Sequence, residues 1–333
     1  MLTLLVPGLI WTRQALADLT CDLPLPAFAT LLGCGRLRRH PPRSAAATLA
    51  ELTGLKDPLP SAALRRIALG HPADDSDWLC LDPVRLHFQE RSLIVDDPQQ
   101  LALDMAESAA LAVSLAPTFA GLGHLEVMSS TAWNLHLPVA APDFQPLPEA
   151  AGRIAAPLPL DAAYAPWRHA VSEAQMILHA HPVNRAREAA GRPLVNSVWP
   201  WGSGRLPAAS SVPACDALWS DDPVARGIAS LLQIESMSLP AGFRSTAVRR
   251  PLAVFDAMER PARTGDAIVW RDELARFETD WLAPALDALR RGRIDAVRLH
   301  APGDLGSAEL TTTRLDLWKF WRKPGALTAL GPA

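Results

Sequence analysis

An alternation of short apolar runs with helix-like stretches opens the chain, stops near residue 77 and resumes after residue 165. This interrupted βα rhythm limits the fold more than any other feature. The apolar run at 2–6, ended by Pro7-Gly8, reads as a buried strand, and helices are expected around 26–32 and 45–52. After the interruption the rhythm returns: a helix at 165–179, a strand at 214–219, a helix at 223–232, strands at 252–255 and 267–270, a helix at 274–291 and a strand at 296–300. Such alternation predicts an α/β protein with a parallel sheet.

Between the two halves the texture differs. Trp78-Leu79-Cys80-Leu81 and Arg85-Leu86-His87-Phe88 read as strands, 99–115 as an amphipathic helix and 125–128 as a further strand, followed by a Pro- and Ala-rich stretch at 138–159. The expected organisation is therefore a discontinuous core, 1–76 with 151–333, interrupted by an α+β module at 77–150. With 333 residues, 49% of them hydrophobic, the chain can bury a large core without disulfides. The four cysteines, Cys21, Cys34, Cys80 and Cys215, share no metal-binding spacing and read as reduced thiols of a cytoplasmic protein. A net charge of −3 supplies no global field for nucleic acid, and Pro or charge interrupts every apolar run before it reaches membrane-spanning length. The short apolar start carries neither the basic region nor the cleavage site of a signal peptide.

The densest chemical signal lies at 179–204, where a helix end, a Gly191 and Pro193 break, a short strand and a Gly202-Ser203-Gly204 turn are expected in succession. Arg187 can present a guanidinium fork, Asn184 and Asn196 can donate amides, and Gly202 and Gly204 let backbone N–H groups approach an anion. The plain alternative is a helix-to-strand connection braced by these residues, with Trp199 and Trp201 as packing.

His181-Pro182-Val183-Asn184, with Arg187, Gly191, Asn196, Trp199, Trp201, Gly202 and Gly204, resembles a segment of archaeal-type cofactor-independent phosphoglycerate mutases, members of the alkaline-phosphatase superfamily. The first strand, the helix at 25–32, Asp77 to Val84, Arg226-Gly227-Ile228-Ala229 and Phe277-Glu278-Thr279-Asp280 extend the likeness over nearly the whole chain. The overall pattern also resembles bacterial RpfE-type regulatory proteins. The resemblance implies an alkaline-phosphatase-like α/β core with an inserted α+β domain. It also implies a small phosphorylated or carboxylate ligand at Asn184, Arg187, Asn196, Gly202 and Gly204.

The same resemblance exposes losses. Catalytic members hold two divalent metals with an Asp-Gly after the first strand, a Ser nucleophile, an Asp and His cluster and a late Gly-Asp-His. Here the first strand runs into Pro7-Gly8-Leu9-Ile10-Trp11, Trp270-Arg271-Asp272-Glu273-Leu274 has no histidine, and His300-Ala301-Pro302-Gly303-Asp304 holds its His and Asp in a different order. Ser44 stands near the nucleophile's place, but before Ala45 it reads equally as a helix N-cap. Two-metal chemistry needs several anionic and imidazole ligands at once. The expectation is thus a mutase-like protein without the catalytic metals, no cofactor, and a regulatory or binding role. The alternative is an active metal-dependent mutase or phosphatase with a rearranged site drawn from Asp272, Glu273, His300 and Asp304.

His87, His124 and His136 lack a companion ligand pattern, and His179 and His181, two apart on a helix, point to different faces. The tail Leu315-Asp316-Leu317-Trp318-Lys319-Phe320-Trp321-Arg322-Lys323 interleaves aromatic and cationic residues. It reads as a terminal helix burying Trp318 and Trp321, or as a protein-docking surface formed by Trp318, Phe320 and Trp321. A nucleic-acid role is not expected from one short patch on an acidic chain.

Overall fold

A computed structural model describes residues 1–333 other than 90, 208–212, 246–247, 320 and 333. Phe320 therefore lies outside the described residues. The chain divides into two compact units, Met1–Asp57 with Ser210–Ala333, and Pro58–Ala209. Residues 58–76 and 151–209, expected with the core, fall in the second unit because their strand and helices pack there.

The larger unit is built on a seven-stranded sheet. Its order is Glu235–Met237, Ala217–Trp219, Pro251–Val254, Leu2–Leu5, Ala296–Ala301, Ser307–Thr313 and Arg36–His40. The first five strands are mutually parallel, Ser307–Thr313 runs against them, and Arg36–His40, antiparallel to Ser307–Thr313, runs with the first five again. Leu2–Leu5 is wholly buried between Pro251–Val254 and Ala296–Ala301, so strands from both ends of the chain share one sheet. A strand covered on both faces needs the continuous apolar run that Leu2-Thr3-Leu4-Leu5 supplies. Trp219, Trp270, Phe277 and Trp281 fill the core beside it.

Two helices of this unit show how distant segments complete each other. Pro26–Cys34 starts with proline and has no side-chain cap of its own. Glu278 supplies one instead, accepting the Ala27 and Phe28 N–H groups at 2.6 and 2.9 Å. Burial raises the Glu278 carboxyl above its ordinary value, and the two backbone donors oppose that rise. The helix from Ala267–Arg276 to Ala283–Arg290 widens to π-helical winding over Phe277–Leu282. Pro284 has no N–H to give the Asp280 carbonyl, which accepts from Phe243 N–H at 2.8 Å. The strand expected at 267–270 is thus the first turn of a helix, capped by the Asp266 carboxylate on Val269 N–H.

The second unit carries a four-stranded antiparallel sheet in the order His124–Val127, Trp133–Leu137, Asp77–Val84 and Ser197–Gly204, with a separate hairpin of Leu86–Gln89 and Ser92–Val95. Helices Met105–Phe119 and Ala165–His179 pack over Trp133, Leu135 and Val198. Helix Ser61–Ala68 sends Arg65 into the sheet. Its guanidinium reaches Asp82 at 3.0 Å and the Trp133 carbonyl at 2.6 Å, while Asp82 also accepts Trp201 Nε1–H at 2.8 Å. A buried cation and carboxylate whose remaining valences are filled this way escape the cost of an unpaired charge.

The expected Gly202 to Gly204 turn is instead the end of strand Ser197–Gly204, with a register shift opposite Trp78 to Cys80. Gly202 has φ +60°, and a Cβ there would lie 2.7 Å from the Ser61 Cβ. Glycine is needed for backbone conformation and close approach. Among the described residues no helix is long and apolar enough to cross a membrane.

Candidate functional site

In the second unit, helix Pro182–Ala189 gathers Asn184 and Arg187 on its buried side. His181 caps its start, Nδ1 accepting Val183 N–H at 3.2 Å and Nε2 lying 3.0 Å from Ser114 Oγ. An accepting Nδ1 places the proton on Nε2, which donates to Ser114. Burial lowers the His181 pKa, the Ala110 backbone opposing and Arg185 adding to the shift, so the imidazole stays neutral.

Asn184 Nδ2 donates to the Leu178 and Val195 carbonyls at 2.7 and 2.6 Å, and its Oδ1 accepts Val195 N–H at 3.0 Å. Arg187, whose side chain is 0% exposed, donates Nε–H to Pro193 O at 2.7 Å, Nη1 to Glu107 at 2.7 Å and Nη2 to Leu101 O. Arg192 reaches the other Glu107 oxygen at 2.8 Å and the Ala102 carbonyl at 2.8 Å. Between those clamps Ala102 holds φ +47°, a left-handed conformation that alanine adopts only under such restraint. Asn196 accepts Leu86 N–H and donates to Leu86 O, both at 2.7 Å, imitating a strand partner.

The side-chain donors of Asn184, Arg187 and Asn196 that were expected to meet a ligand point instead to carbonyls and Glu107, the pattern of a brace. Trp199 donates to Gln145 O at 2.9 Å. Gly204, at φ +137°, would bring a Cβ to 3.2 Å from Pro60 Cβ. With Gly202 against Ser61, the glycines serve packing.

In the larger unit the parallel strands end on one edge. Leu2–Leu5 leads to Gly8, at φ +79°, where a Cβ would meet Met258 O at 2.4 Å. Beyond it Leu9 and Ile10 are buried, Trp11 and Trp270 rings lie 5.4 Å apart, and Trp270 Nε1 donates to Gly8 O at 2.8 Å. Carboxylates on this edge come from the neighbouring strands. Asp256 follows Pro251–Val254, and its carboxyl is raised above the ordinary value by burial first, then by Asp222 and Asp221 after Ala217–Trp219. Asp222 is committed to capping helix Pro223–Leu232 through Val224 N–H at 3.0 Å. The residues-first reading missed Asp256, although a carboxylate just past an apolar strand is a readable signal.

The remaining candidates are dispersed. Ser44 caps helix Ala45–Thr53, its Oγ accepting Ala47 N–H at 3.1 Å. Asp272 and Glu273 lie on helix Ala267–Arg276, where Asp272 is exposed and Glu273 pairs with Arg276 at 2.9 Å. His300 stands on Ala296–Ala301, its pKa lowered chiefly by burial, and Asp304 lies in the turn beyond. Among the described residues no three His, Cys, Asp or Glu side chains gather as a metal-ion group. Indole and aliphatic groups fill the end of the first strand, and the carboxylates of this edge, Asp256, Asp221 and Asp222, stand after the neighbouring strands.

The larger sheet, mostly parallel with helices around it, is the phosphoglycerate-mutase-like, alkaline-phosphatase-type α/β fold. Among solved structures the chain is similar to a cofactor-independent phosphoglycerate mutase from Thermoplasma acidophilum DSM 1728, at TM-score 0.50 and 17% identity, covering 100% of this chain and 95% of that one. It is also similar to the PH0037 protein from Pyrococcus horikoshii, at TM-score 0.56 and 13% identity, over 98% of this chain and 91% of that one. No protein-family model and no curated protein sequence matches the chain.

Proposed function

We propose that this chain is a phosphoglycerate-mutase-like protein that has left two-metal phosphoryl transfer behind and acts in a regulatory or binding role. The observation that carries the reading is the packed end of strand Leu2–Leu5, where Leu9, Ile10 and the Trp11–Trp270 pair occupy the place a metal-binding carboxylate would need. Aliphatic and indole side chains offer a cation no ligand at that point, and the carboxylates of this edge belong to the neighbouring strands. The sequence resemblance to RpfE-type regulatory proteins supports a regulatory protein of the bacterial cytoplasm. The brace at Asn184, Arg187 and Asn196 leaves little for a phosphorylated ligand to bind, so the binding role falls to other surfaces.

The test is turnover of 2- and 3-phosphoglycerate with manganese, together with the manganese retained by the purified protein. No turnover and no retained metal are expected. Manganese-dependent turnover abolished in Ser44→Asn, a variant that keeps an N-cap acceptor but no hydroxyl, would overturn the reading.

A further inference from the structure

Two features of the larger unit meet at one place. Strand Arg36–His40 is the last of its sheet and pairs only with Ser307–Thr313, so the backbone groups along its other side have no partner strand among the described residues. Its sequence is Arg-Leu-Arg-Arg-His, and all but Leu37 are exposed.

The other feature is the tail, which the sequence suggests is a helix burying its tryptophans. It is a short 3-10 turn, Arg314–Trp318, and Leu315, Trp318 and Trp321 are 78%, 74% and 69% exposed. This exposure sits on anchored backbone. Thr313 and Asp316 close a reciprocal capping box at one end. At the other, Arg322 Nη1 donates to Gly35 O at 3.2 Å, Gly325 N–H to Ala29 O at 2.8 Å, and Leu327 and Leu330 are buried. Large apolar side chains held in water on a fixed backbone are the raw material of an interface. Because Arg322 touches the residue before Arg36, edge strand and tail make one surface.

Its charge has one sign. Lys319 pairs with Asp316, and Glu309, opposite Arg38 across the ladder, faces Arg298 at 3.8 Å. Arg36, Arg38, Arg322 and Lys323 have no carboxylate within ion-pair distance among the described residues, and Arg39 is held by the Ala329 carbonyl with its charge uncompensated. This cationic strip lies on a chain of net charge −3.

We propose that this surface docks an acidic, extended segment of a protein partner, added as a strand along Arg36–His40 with apolar side chains against Trp318 and Trp321. An open strand edge presents amide and carbonyl groups at the spacing of another polypeptide, which a nucleic acid cannot match, and the cations select acidic side chains. The inference uses a surface away from the first-strand end and stands whether or not phosphoryl transfer is lost.

The test is fluorescence anisotropy on the full chain with a short fluorescein-labelled peptide of alternating Glu and Val. The peptide is expected to bind, more weakly at high salt. N-methylation of its alternate amides should abolish binding, and Arg36→Glu with Arg38→Glu should weaken it about tenfold or more. Trp318→Ala should weaken it as well. Lys323→Glu, on an exposed side chain, gives the same direction should the double variant misfold by circular dichroism. No binding, equal binding of a matched peptide of alternating Lys and Val, or unchanged binding by the folded charge variants overturns the proposal. So does tighter binding of an oligothymidylate, which would assign the surface to nucleic acid.

Discussion

Arg187 has an arginine's capacity to seize an anion, and the fold directs that capacity inward. The residue types at the corner were legible in the sequence; their partners were not, since the Leu101 carbonyl lies 86 residues away and Glu107 belongs to another helix. Arg187→Ala leaves two carbonyls without donors and Glu107 with Arg192 as its one remaining cation. It is expected to cost roughly 2–4 kcal/mol in urea unfolding. Arg187→Lys recovers little of that, because one ammonium cannot serve three acceptors in a fixed fork. Phosphate or sulfate should not raise the wild-type melting temperature; protection that vanishes in Arg187→Ala would restore the ligand role. At the same scale the thiols differ. Burial pushes Cys215 up to about 11, whereas Cys21 is exposed. Near neutral pH, iodoacetamide followed by peptide mapping should find Cys21 alkylated and Cys215 untouched until the protein is unfolded.

Elements with strong periodicity and clear punctuation coincide with the sequence reading: helices Ala165–His179 and Pro223–Leu232 fall as expected. Strands Arg36–His40 and Ser307–Thr313 escaped notice because one is cationic but for Leu37, and in the other the alternation is only Ala308 and Leu310 before a run of threonines. The tail's capping box gives a pH prediction. Burial works to raise Asp316, but Lys319 and Thr313 overcome it and bring the carboxyl down to about 2. A folded pKa below the unfolded value of 3.8 stabilises the turn above that value, and the contribution is lost as pH falls from near 3.8 toward 2. Indole fluorescence should report release of the turn over that window in the wild type, with Asp316→Asn flat across it. In the other unit, Gly202→Ala forces a left-handed residue and a clash with Ser61, and is expected to cost about 1–3 kcal/mol by thermal melting.

At the level of the molecule, the interrupted rhythm announced a discontinuous α/β protein, but its boundaries lie elsewhere. The Pro-rich stretch at 138–159 looked like a way back to the core, yet Ala165–His179 and Ser197–Gly204 continue the second unit, because an antiparallel strand returning 120 residues later leaves no local mark. The first strand's neighbours are equally remote, as is Glu278, which caps a helix begun at Pro26. On the ribosome these distances become delays. At ordinary elongation rates roughly 10–50 s separate emergence of helix Pro26–Cys34 from that of its cap. Pro58–Ala209, contiguous in sequence, can close within that interval while the first 57 residues wait unpaired. Chains arrested once residue 209 has cleared the exit tunnel should therefore resist protease across the inserted unit and be cut within Met1–Asp57, so that protection spreads through translation from the middle of the gene to its beginning.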